Sequence, residues 1–188
     1  QLSYNIENTQ RAIGTRLSSH IVRRFGMTGL RPGQITARLR GPGGQSLGAF
    51  AVQGLRLDVI GDANDYVGKG LSGGMITIRP SDSAAFVAER NTIIGNTVLY
   101  GATSGMLLAN GQAGERLCVR NSGATAIVEG CGSNGCEYMT GGEVVILGRT
   151  GPNFGAGMTG GMAFIYDEDE LFLSRANPET LQIAPVAT

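Results

Sequence analysis

Glycine recurs at near-regular intervals through the middle of this chain, and that regularity limits the folds the chain can adopt. Of the 31 glycines among 188 residues, 27 lie between Gly41 and Gly161. Six of them, taken as marks of a repeat, stand 26, 31, 18, 19 and 19 residues apart: Gly48, Gly74, Gly105, Gly123, Gly142 and Gly161. Glycine does not occupy every third position, which excludes a collagen triple helix. A repeat of this length predicts stacked copies of one small structural unit.

The residues around these glycines predict what the unit is. The residue two positions before each mark is Ser, Thr or Asn, and the residues two and four positions after it are mostly apolar. The predicted inward-facing residues are Phe50, Ile76, Leu107, Thr125, Val144 and Ala163, and then Val52, Ile78, Ala109, Ile127, Ile146 and Ile165. Such alternation is typical of a strand, with glycine supplying positive-φ bends at the corners. The sequence therefore predicts an all-β fold, a parallel β-solenoid of about six to seven coils.

The glycine distribution also predicts the organisation of the chain within one domain. A head at 1–40 precedes a glycine-rich body at 41–166, and a tail at 167–188 follows it. The two longest intervals between marks predict loop insertions near residues 62–67 and 81–90. Because a solenoid exposes its first and last coils, both ends need to be covered.

The predicted caps lie in the head and the tail. In the head, an amphipathic helix is predicted over residues 9–25, because apolar residues recur there at every fourth position. These residues are Ile13, Leu17, Ile21 and Phe25, with Asn8 or Thr9 as the predicted N-cap and Gly26 as the predicted stop. In the tail, the short strand Leu171–Leu173 is the predicted cap.

Charge and composition exclude several functional classes. The 15 basic and 15 acidic residues balance, which argues against a nucleic-acid binder. No run approaches the ~20 apolar residues of a membrane helix, and the first residues do not resemble a signal peptide. An odd cysteine count without a glycosylation sequon favours a reducing intracellular setting. The expected location is therefore the cytoplasm, or the plastid stroma in a photosynthetic eukaryote.

The stretch GDANDYVGKGLSGG at 61–74 contains two incomplete ligand motifs. It departs from a phosphate-binding loop in its glycine spacing and in Gly70, which replaces the Ser or Thr that would hold magnesium. It departs from a calcium loop at Tyr66 and Val67. Lys69 is the sole lysine of the chain, and its role stays open between a partner carboxylate and a strand end.

The residues that usually carry catalysis or bind metals are sparse. Cys118, Cys131 and Cys136 lack a paired CxxC spacing, so buried or corner thiols are favoured over a zinc or iron–sulfur site. His20 is the only histidine and falls on the head helix, and the acidic run at 167–170 is expected to be a solvated turn. The sequence therefore predicts no catalytic, cofactor-binding or metal-binding residue.

Several ordered segments together resemble one known family. They are NTQRAIGTRLSSHIVRRFG in the head and then GQSLGAF, GDANDYVGKGLSGG, IIGNTVLYGAT, GERLCVRNSGA, GCEYMTGGEVVILG and NFGAGMTGG. Over roughly residues 5 to 180, this series is similar to the C-terminal glycine-repeat (GXGXG) domain of the glutamate synthase large chain. One departure is GCGSN at 130–134, where many relatives have a Gly-Asp-His ending.

The resemblance implies a fold and a role. The family domain is a right-handed parallel β-helix without catalytic residues, and it braces the amidotransferase domain and the FMN-binding synthase domain of the same polypeptide. The parent enzyme makes two glutamates from glutamine and 2-oxoglutarate, with reducing equivalents from NADPH or ferredoxin. Its FMN and 3Fe–4S cluster belong to the synthase domain, and a small flavoprotein subunit is a further expected partner. No cluster ligand is transferred to the three cysteines here, because their spacing differs.

Two alternatives stay open on the sequence. The chain could be a stand-alone glycine-repeat subunit that docks to catalytic chains. It could also be a solenoid enzyme of the acyltransferase or lyase type. The six-residue aliphatic period of an acyltransferase fails here, and the acidic residues that a lyase would need cluster only at 62–65 and 167–170.

Overall fold

The computed structural model describes residues 1–186, which form a solenoid of parallel strands. The strands are β1 (Leu2–Asn5), β2 (Ile35–Arg40), β3 (Leu55–Ile60), β4 (Ser72–Arg79), β5 (Thr92–Ile94), β6 (Ser104–Ala109), β7 (Gln112–Ala113), β8 (Ser122–Val128), β9 (Gly130–Cys131), β10 (Thr140–Ile146) and β11 (Gly160–Ile165). The helices are α1 (Thr15–Phe25), a 3₁₀ turn (Ala88–Arg90) and α2 (Phe172–Arg175). None of the described helices is long and apolar enough to cross a membrane.

Two parallel sheets run along the solenoid. The main sheet has the order β1-β2-β3-β4-β6-β8-β10-β11, and the short sheet has the order β5-β7-β9. From β2 onwards, successive coils add one strand each to the main sheet, so the solenoid has about seven coils. This confirms the predicted all-β parallel β-helix. At ~4.8 Å between strands, the main sheet extends roughly 34 Å along the axis.

The inner face of the main sheet forms the core. Two columns of side chains run through it in register, from Leu57 to Ala163 and from Val59 to Ile165, and nearly all are buried. The first column is Leu57, Ile76, Leu107, Ala126, Val144 and Ala163, and the second is Val59, Ile78, Ala109, Val128, Ile146 and Ile165. Burial of these aliphatic columns is the main source of cohesion between coils.

The predicted columns are wrong in two of the six coils. In β8, Thr125 and Ile127 face outward, because the pairing with β10 shifts by one residue and leaves Gly123 out of register with the other marks. Gly48 does not precede a strand at all, so Phe50 and Val52 do not belong to the columns. Phe50 is instead 53% exposed.

A third wall is built from backbone with positive φ, and we call it the left-handed ladder. In each of six coils, three alternating residues have φ between 54° and 73°. They are 46, 48 and 50; 66, 68 and 70; 97, 99 and 101; 116, 118 and 120; 134, 136 and 138; and 153, 155 and 157. Only six of these eighteen residues are glycine, so the prediction that glycine supplies the bends holds for a third of them.

Hydrogen bonds between coils hold the ladder together. We call the three positive-φ residues of one coil a rung. Within a rung, the N–H groups donate alternately to the next coil and to the preceding coil. Those of Tyr66 and Gly70 donate to Asn96 O and Tyr100 O of the next coil, each at 2.9 Å. The N–H of Gly68, between them, donates to Leu47 of the preceding coil at 2.9 Å. Residues 62–67 are therefore part of a regular coil, and the predicted insertion there is wrong. Gly48 lies on the ladder, whereas the next mark, Gly74, lies in strand β4 of the main sheet. The interval between these two marks is long because they occupy different positions in their coils.

The second predicted insertion is confirmed. Residues 80–91 leave the solenoid between β4 and β5, are mostly exposed and contain the 3₁₀ turn. Asn91 is tied back to this loop through its side-chain N–H, which donates to Val87 O at 2.8 Å.

The head helix begins later than predicted and covers the first coil. Ala12 and Gly14 have φ of 54° and 96°, outside the helical region, so α1 starts at Thr15 instead of residue 9. Gly26 ends the helix as predicted and donates its N–H to Val22 O. The first rung has no preceding coil to accept a hydrogen bond from its middle residue, Gly48. Ile13 O of the head takes that place and accepts from the N–H of Gly48 at 2.8 Å.

The tail covers the last coil as a helix. The predicted strand Leu171–Leu173 is wrong, because α2 spans Phe172–Arg175. Its Phe172 ring packs edge-on against the buried Phe154 ring, with centroids 5.5 Å apart. The N–H of Phe154 donates to Arg175 O at 3.0 Å, so the tail also closes the last rung of the ladder.

Candidate functional site

The motif at 61–74 is part of the coil, and several of its groups make contacts between coils. Asp65 Oδ1 accepts from the N–H of Asn96 at 2.8 Å, so this carboxylate joins two neighbouring coils. Lys69 Nζ lies 5.7 Å from the centre of the Tyr66 ring, a cation–π arrangement on the outside of the ladder. The backbone N–H groups of Gly68 and Gly70, the glycines on either side of Lys69, already donate to neighbouring coils and are not free to cradle a phosphate.

The three cysteines are buried thiols, as the sequence predicts. Cys131 lies in β9, whereas Cys118 and Cys136 lie on the ladder. Burial raises the pKa of Cys131 to about 12 and raises the pKa values of Cys118 and Cys136 well above their usual range. A thiol that stays protonated is a poor nucleophile and a poor metal ligand, so these side chains behave as small apolar residues.

Potential metal-binding side chains do not cluster in the part of the chain that the structure describes. Within residues 1–186 no group of three or more His, Cys, Asp or Glu side chains is arranged to hold a metal ion. His20 is exposed on α1. The prediction that the chain lacks catalytic, cofactor-binding and metal-binding residues stays a prediction.

The acidic run at 167–170 forms the expected turn, but one of its carboxylates is paired instead of solvated. Asp169 lies 3.0 Å from Arg149 Nε and 2.9 Å from Arg175 Nη2. The hydrogen bond from Arg175 lowers the pKa of Asp169 below its usual value. Asp167 Oδ1 accepts from the N–H of Phe172 at 3.0 Å and so supports the start of α2. The run therefore fastens the tail to the last coil.

The outer face of the main sheet is the largest feature that the core does not explain. One outward column runs in register through all eight strands: Ser3, Arg38, Asp58, Thr77, Leu108, Ile127, Val145 and Phe164. The column is polar or charged on the first four strands and apolar on the last four. We call its last four residues the apolar outer stripe.

The apolar outer stripe is partly exposed, since Leu108, Ile127 and Val145 are half-buried, and further apolar side chains flank it. Phe164 is 36% exposed, and neighbouring outward residues Met106, Leu147, Met162 and Tyr166 are between 37% and 61% exposed. A row of apolar side chains that remains partly exposed on a sheet face is typical of a surface that binds another protein surface.

The polar part of the same face contains a groove, which we call the basic groove. It has a volume of about 880 Å³, and its charged lining residues are four arginines and two carboxylates: Arg38, Arg40, Arg56, Arg79, Asp58 and Glu129. Asp58 is already satisfied, because its Oδ1 lies 2.7 Å from both Arg56 Nε and Thr77 Oγ1.

Comparison with known proteins identifies the fold family. The family model described as "GXGXG motif" matches residues 1–188. The chain belongs to the GXGXG family. It is 70% identical over 181 residues to the glutamate synthase [NADPH] large chain of Azospirillum brasilense, a match that covers 96% of this chain and 12% of that relative.

Further relatives of this GXGXG domain differ in the reductant that their names carry. The ferredoxin-dependent glutamate synthase of Pyropia yezoensis is 52% identical over 98% of this chain, and the glutamate synthase [NADH] of Schizosaccharomyces pombe is 53% identical over 96%. The chain spans 12% and 9% of these two relatives. The resemblance read from the sequence segments is therefore confirmed, and the matched segment is a small part of each relative.

Both parts of the outer face escaped sequence analysis. The net charge of zero concealed a division along the chain: residues 1–60 carry eight arginines and two acidic residues, and the remainder carries seven basic and thirteen acidic residues. Counting charge by coil would have revealed the basic groove. The apolar outer stripe was missed because Ile127, one of its four residues, was predicted to face the interior. Only the observed strand register shows that Ile127 faces outward.

Proposed function

We propose that this GXGXG domain is a structural, non-catalytic part of a glutamate synthase large chain. In this role it braces an amidotransferase domain and an FMN-binding synthase domain, which carry the glutamine hydrolysis and the reductive step. FMN, the 3Fe–4S cluster and the electron donor belong to those other domains. The apolar outer stripe is the observation that carries this proposal, since a domain that only had to fold would not gain from exposing it.

The rest of the structure supports a bracing role. The core is filled by aliphatic columns, the three thiols are held protonated by burial, and hydrogen bonds between coils run along the ladder. Such a body is stiff along its axis, because each coil is fixed to the next through sheet and ladder alike. A rigid spacer can fix the relative placement of two catalytic domains without contributing a reacting group.

Two measurements test the proposal. In the full-length enzyme, Val145→Asp places a charge in the middle of the apolar outer stripe and should reduce glutamine-dependent glutamate synthesis by tenfold or more, on the order of the cost of burying one unpaired charge. Val87→Asp is the matched control, because Val87 is 49% exposed on the insertion at 80–91, and it should leave synthesis unchanged.

The second measurement uses the 188-residue chain alone. We expect it to give β-type circular dichroism, no glutaminase activity and no FMN binding. Turnover by this chain, or equal activity of the two Asp variants, would contradict the proposal.

A further inference from the structure

Charge is polarised along the solenoid axis. Residues 1–60 carry a net charge of +6 and residues 61–188 carry −6. Because each coil stacks on the one before it, position in the chain corresponds to position along the axis. The first coils are therefore a positive end, and the field of that end is directed at whatever lies beside it.

The basic groove lies at this positive end and has unneutralised arginines. Arg56 is paired with Asp58 and Arg79 with Asp82. Within residues 1–186, Arg38 and Arg40 have no carboxylate within 4.0 Å, and both are exposed. With the Gln1 amide oriented to satisfy its hydrogen bonds, its side-chain oxygen accepts from the Arg38 guanidinium. This amide is neutral and does not compensate the charge of Arg38. The two carboxylates that line the groove, Asp58 and Glu129, make no ion pair with Arg38 or Arg40, so these two guanidinium groups lie in the groove without an ion-pair partner.

The shape of the groove favours a polypeptide over a small anion. The groove is open along the sheet and continues from the arginines to Leu108 and Ile127, the first residues of the apolar outer stripe. An inorganic anion at Arg38 and Arg40 would leave those apolar side chains in water. A polypeptide segment with carboxylates at one end and apolar side chains at the other would cover both parts.

We propose that the basic groove binds an acidic segment of the longer chain to which this domain belongs. Asp or Glu carboxylates of that segment pair with Arg38 and Arg40, and its apolar side chains lie on Leu108 and Ile127. This inference rests on the proposed function, because it takes the segment from the rest of the large chain. The matched relatives have the room for it, since this chain spans 12% of the Azospirillum brasilense protein.

The single lysine of the domain makes a direct test possible. Water-soluble carbodiimide joins a lysine amine to a carboxylate that it touches, and arginine does not react, so Lys69 is the only reactive amine among the side chains of this domain. In the full-length enzyme, Arg38→Lys and Arg40→Lys keep the positive charge and place an amine in the groove. Peptide mass spectrometry of the cross-linked protein then identifies the partner carboxylate.

We expect both variants to give a cross-link to an Asp or Glu outside the 188 residues, within a segment that also carries apolar residues. The yield should fall about fivefold or more between 0.1 M and 1 M salt, because the screening length drops from ~10 Å to ~3 Å. Arg90→Lys is the matched control: it puts the same amine on the exposed insertion at 80–91 and should give no such cross-link.

Other outcomes would overturn the proposal. Cross-links from positions 38 and 40 that reach only Asp58 or other acids within the domain would show an empty groove. Cross-links to a second copy or to a separate subunit would assign the groove to a different partner. Suppression of the cross-link by 10 mM inorganic phosphate at constant ionic strength would indicate a small-anion site instead.

A charge reversal completes the test without relying on cross-linking. Arg40→Glu in the full-length enzyme should increase the rate of limited proteolysis within the cross-linked segment about fivefold or more, on the order expected for losing one charged contact. Arg90→Glu should not change that rate. Equal rates for the two variants would overturn the proposal, and this result is independent of the activity measurements that test the bracing role.

Discussion

The main sheet and the left-handed ladder are two walls of the same coils, yet they are held together in different ways. Each main-sheet strand places alternate residues in the core, and its cohesion comes from stacked aliphatic side chains together with the backbone hydrogen bonds of the parallel sheet. The ladder has positive φ at three alternating residues of each rung, a conformation that costs about 1–2 kcal/mol for each residue other than glycine. Its cohesion comes from backbone hydrogen bonds that alternate between the preceding and the following coil. Both walls are joined by backbone hydrogen bonds between coils and place side chains in the core, but only the ladder also requires its backbone to be held in a strained state.

The largest effect is expected in the main sheet. Leu107 is fully buried in the first inner column, and Leu107→Ala should lower the free energy of unfolding of the 188-residue chain by about 2–5 kcal/mol through lost burial and the cavity left behind. Leu108→Ala, one residue along and facing outward, should cost about 1 kcal/mol or less. Urea unfolding followed by circular dichroism measures both costs. Equal costs would contradict the assignment of Leu107 to the core and Leu108 to the outer face.

Glycine substitutions test what the ladder tolerates. A Cβ on Gly70 would lie 2.7 Å from the Phe50 ring of the preceding coil, whereas a Cβ on Gly101 meets nothing within 4 Å. Both residues have φ near 61°. Gly101→Ala should therefore cost about 1–2 kcal/mol from backbone strain alone, and Gly70→Ala should cost about 1 kcal/mol or more beyond that. Urea unfolding measures the difference between the costs of Gly70→Ala and Gly101→Ala. The same comparison in a Phe50→Ala background should give a smaller difference. If the difference persists there, contact with the Phe50 ring is not its cause.

Acid should open the end of the ladder before it affects the main sheet. The pKa of Asp169 is lowered in the folded state, chiefly by the hydrogen bond from Arg175. Its ion pairs therefore stabilise the tail fully above the ordinary pKa of 3.8, and that contribution is lost as the pH falls from there through the lower folded value.

Amide hydrogen exchange at graded pH measures this effect. Protection at 172–176 should decline below about pH 4 relative to the intrinsic rate, while protection in β6 and β8 persists. Asp169→Asn should show reduced protection of the tail with little dependence on pH. If amide protection in the tail and in the main sheet were lost at the same pH, the end of the ladder and the main sheet would unfold together, which would contradict this prediction.

The smallest effect is expected where glycine replaces a strained residue. Arg120 occupies a ladder position with φ of 56° and is exposed. Arg120→Gly removes about 1–2 kcal/mol of strain but adds about 0.5–1 kcal/mol of unfolded-state entropy, so a net stabilisation of about 1 kcal/mol or less is expected. Thermal unfolding measures it, with Arg90→Gly on the insertion as control. A loss of stability larger than that of the control would show that the Arg120 side chain is needed on the ladder.

Sequence reasoning succeeded where a structural rule is local. The repeat length, the alternation around Ile76 and Ile78, the insertion at 81–90 and the helix stop at Gly26 follow from properties of neighbouring residues. It failed where the structure depends on another coil. Phe50 was placed in the core because it follows a glycine, although that glycine belongs to the ladder. The start of α1 was missed because the preceding residues follow the first rung instead of continuing the helix.

The sequence by itself determined that this chain is a stack of glycine-rich coils related to the glutamate synthase large chain, because period and motif order are written along the chain. Only the tertiary structure decided which residues share a column, since a one-residue shift of register in β8 exchanges the inner and outer faces. Stacking also brings arginines from separate strands into the basic groove and aligns Leu108, Ile127, Val145 and Phe164 in the apolar outer stripe. Residues 18 or 19 positions apart become neighbours at ~4.8 Å only when the coils are stacked in register.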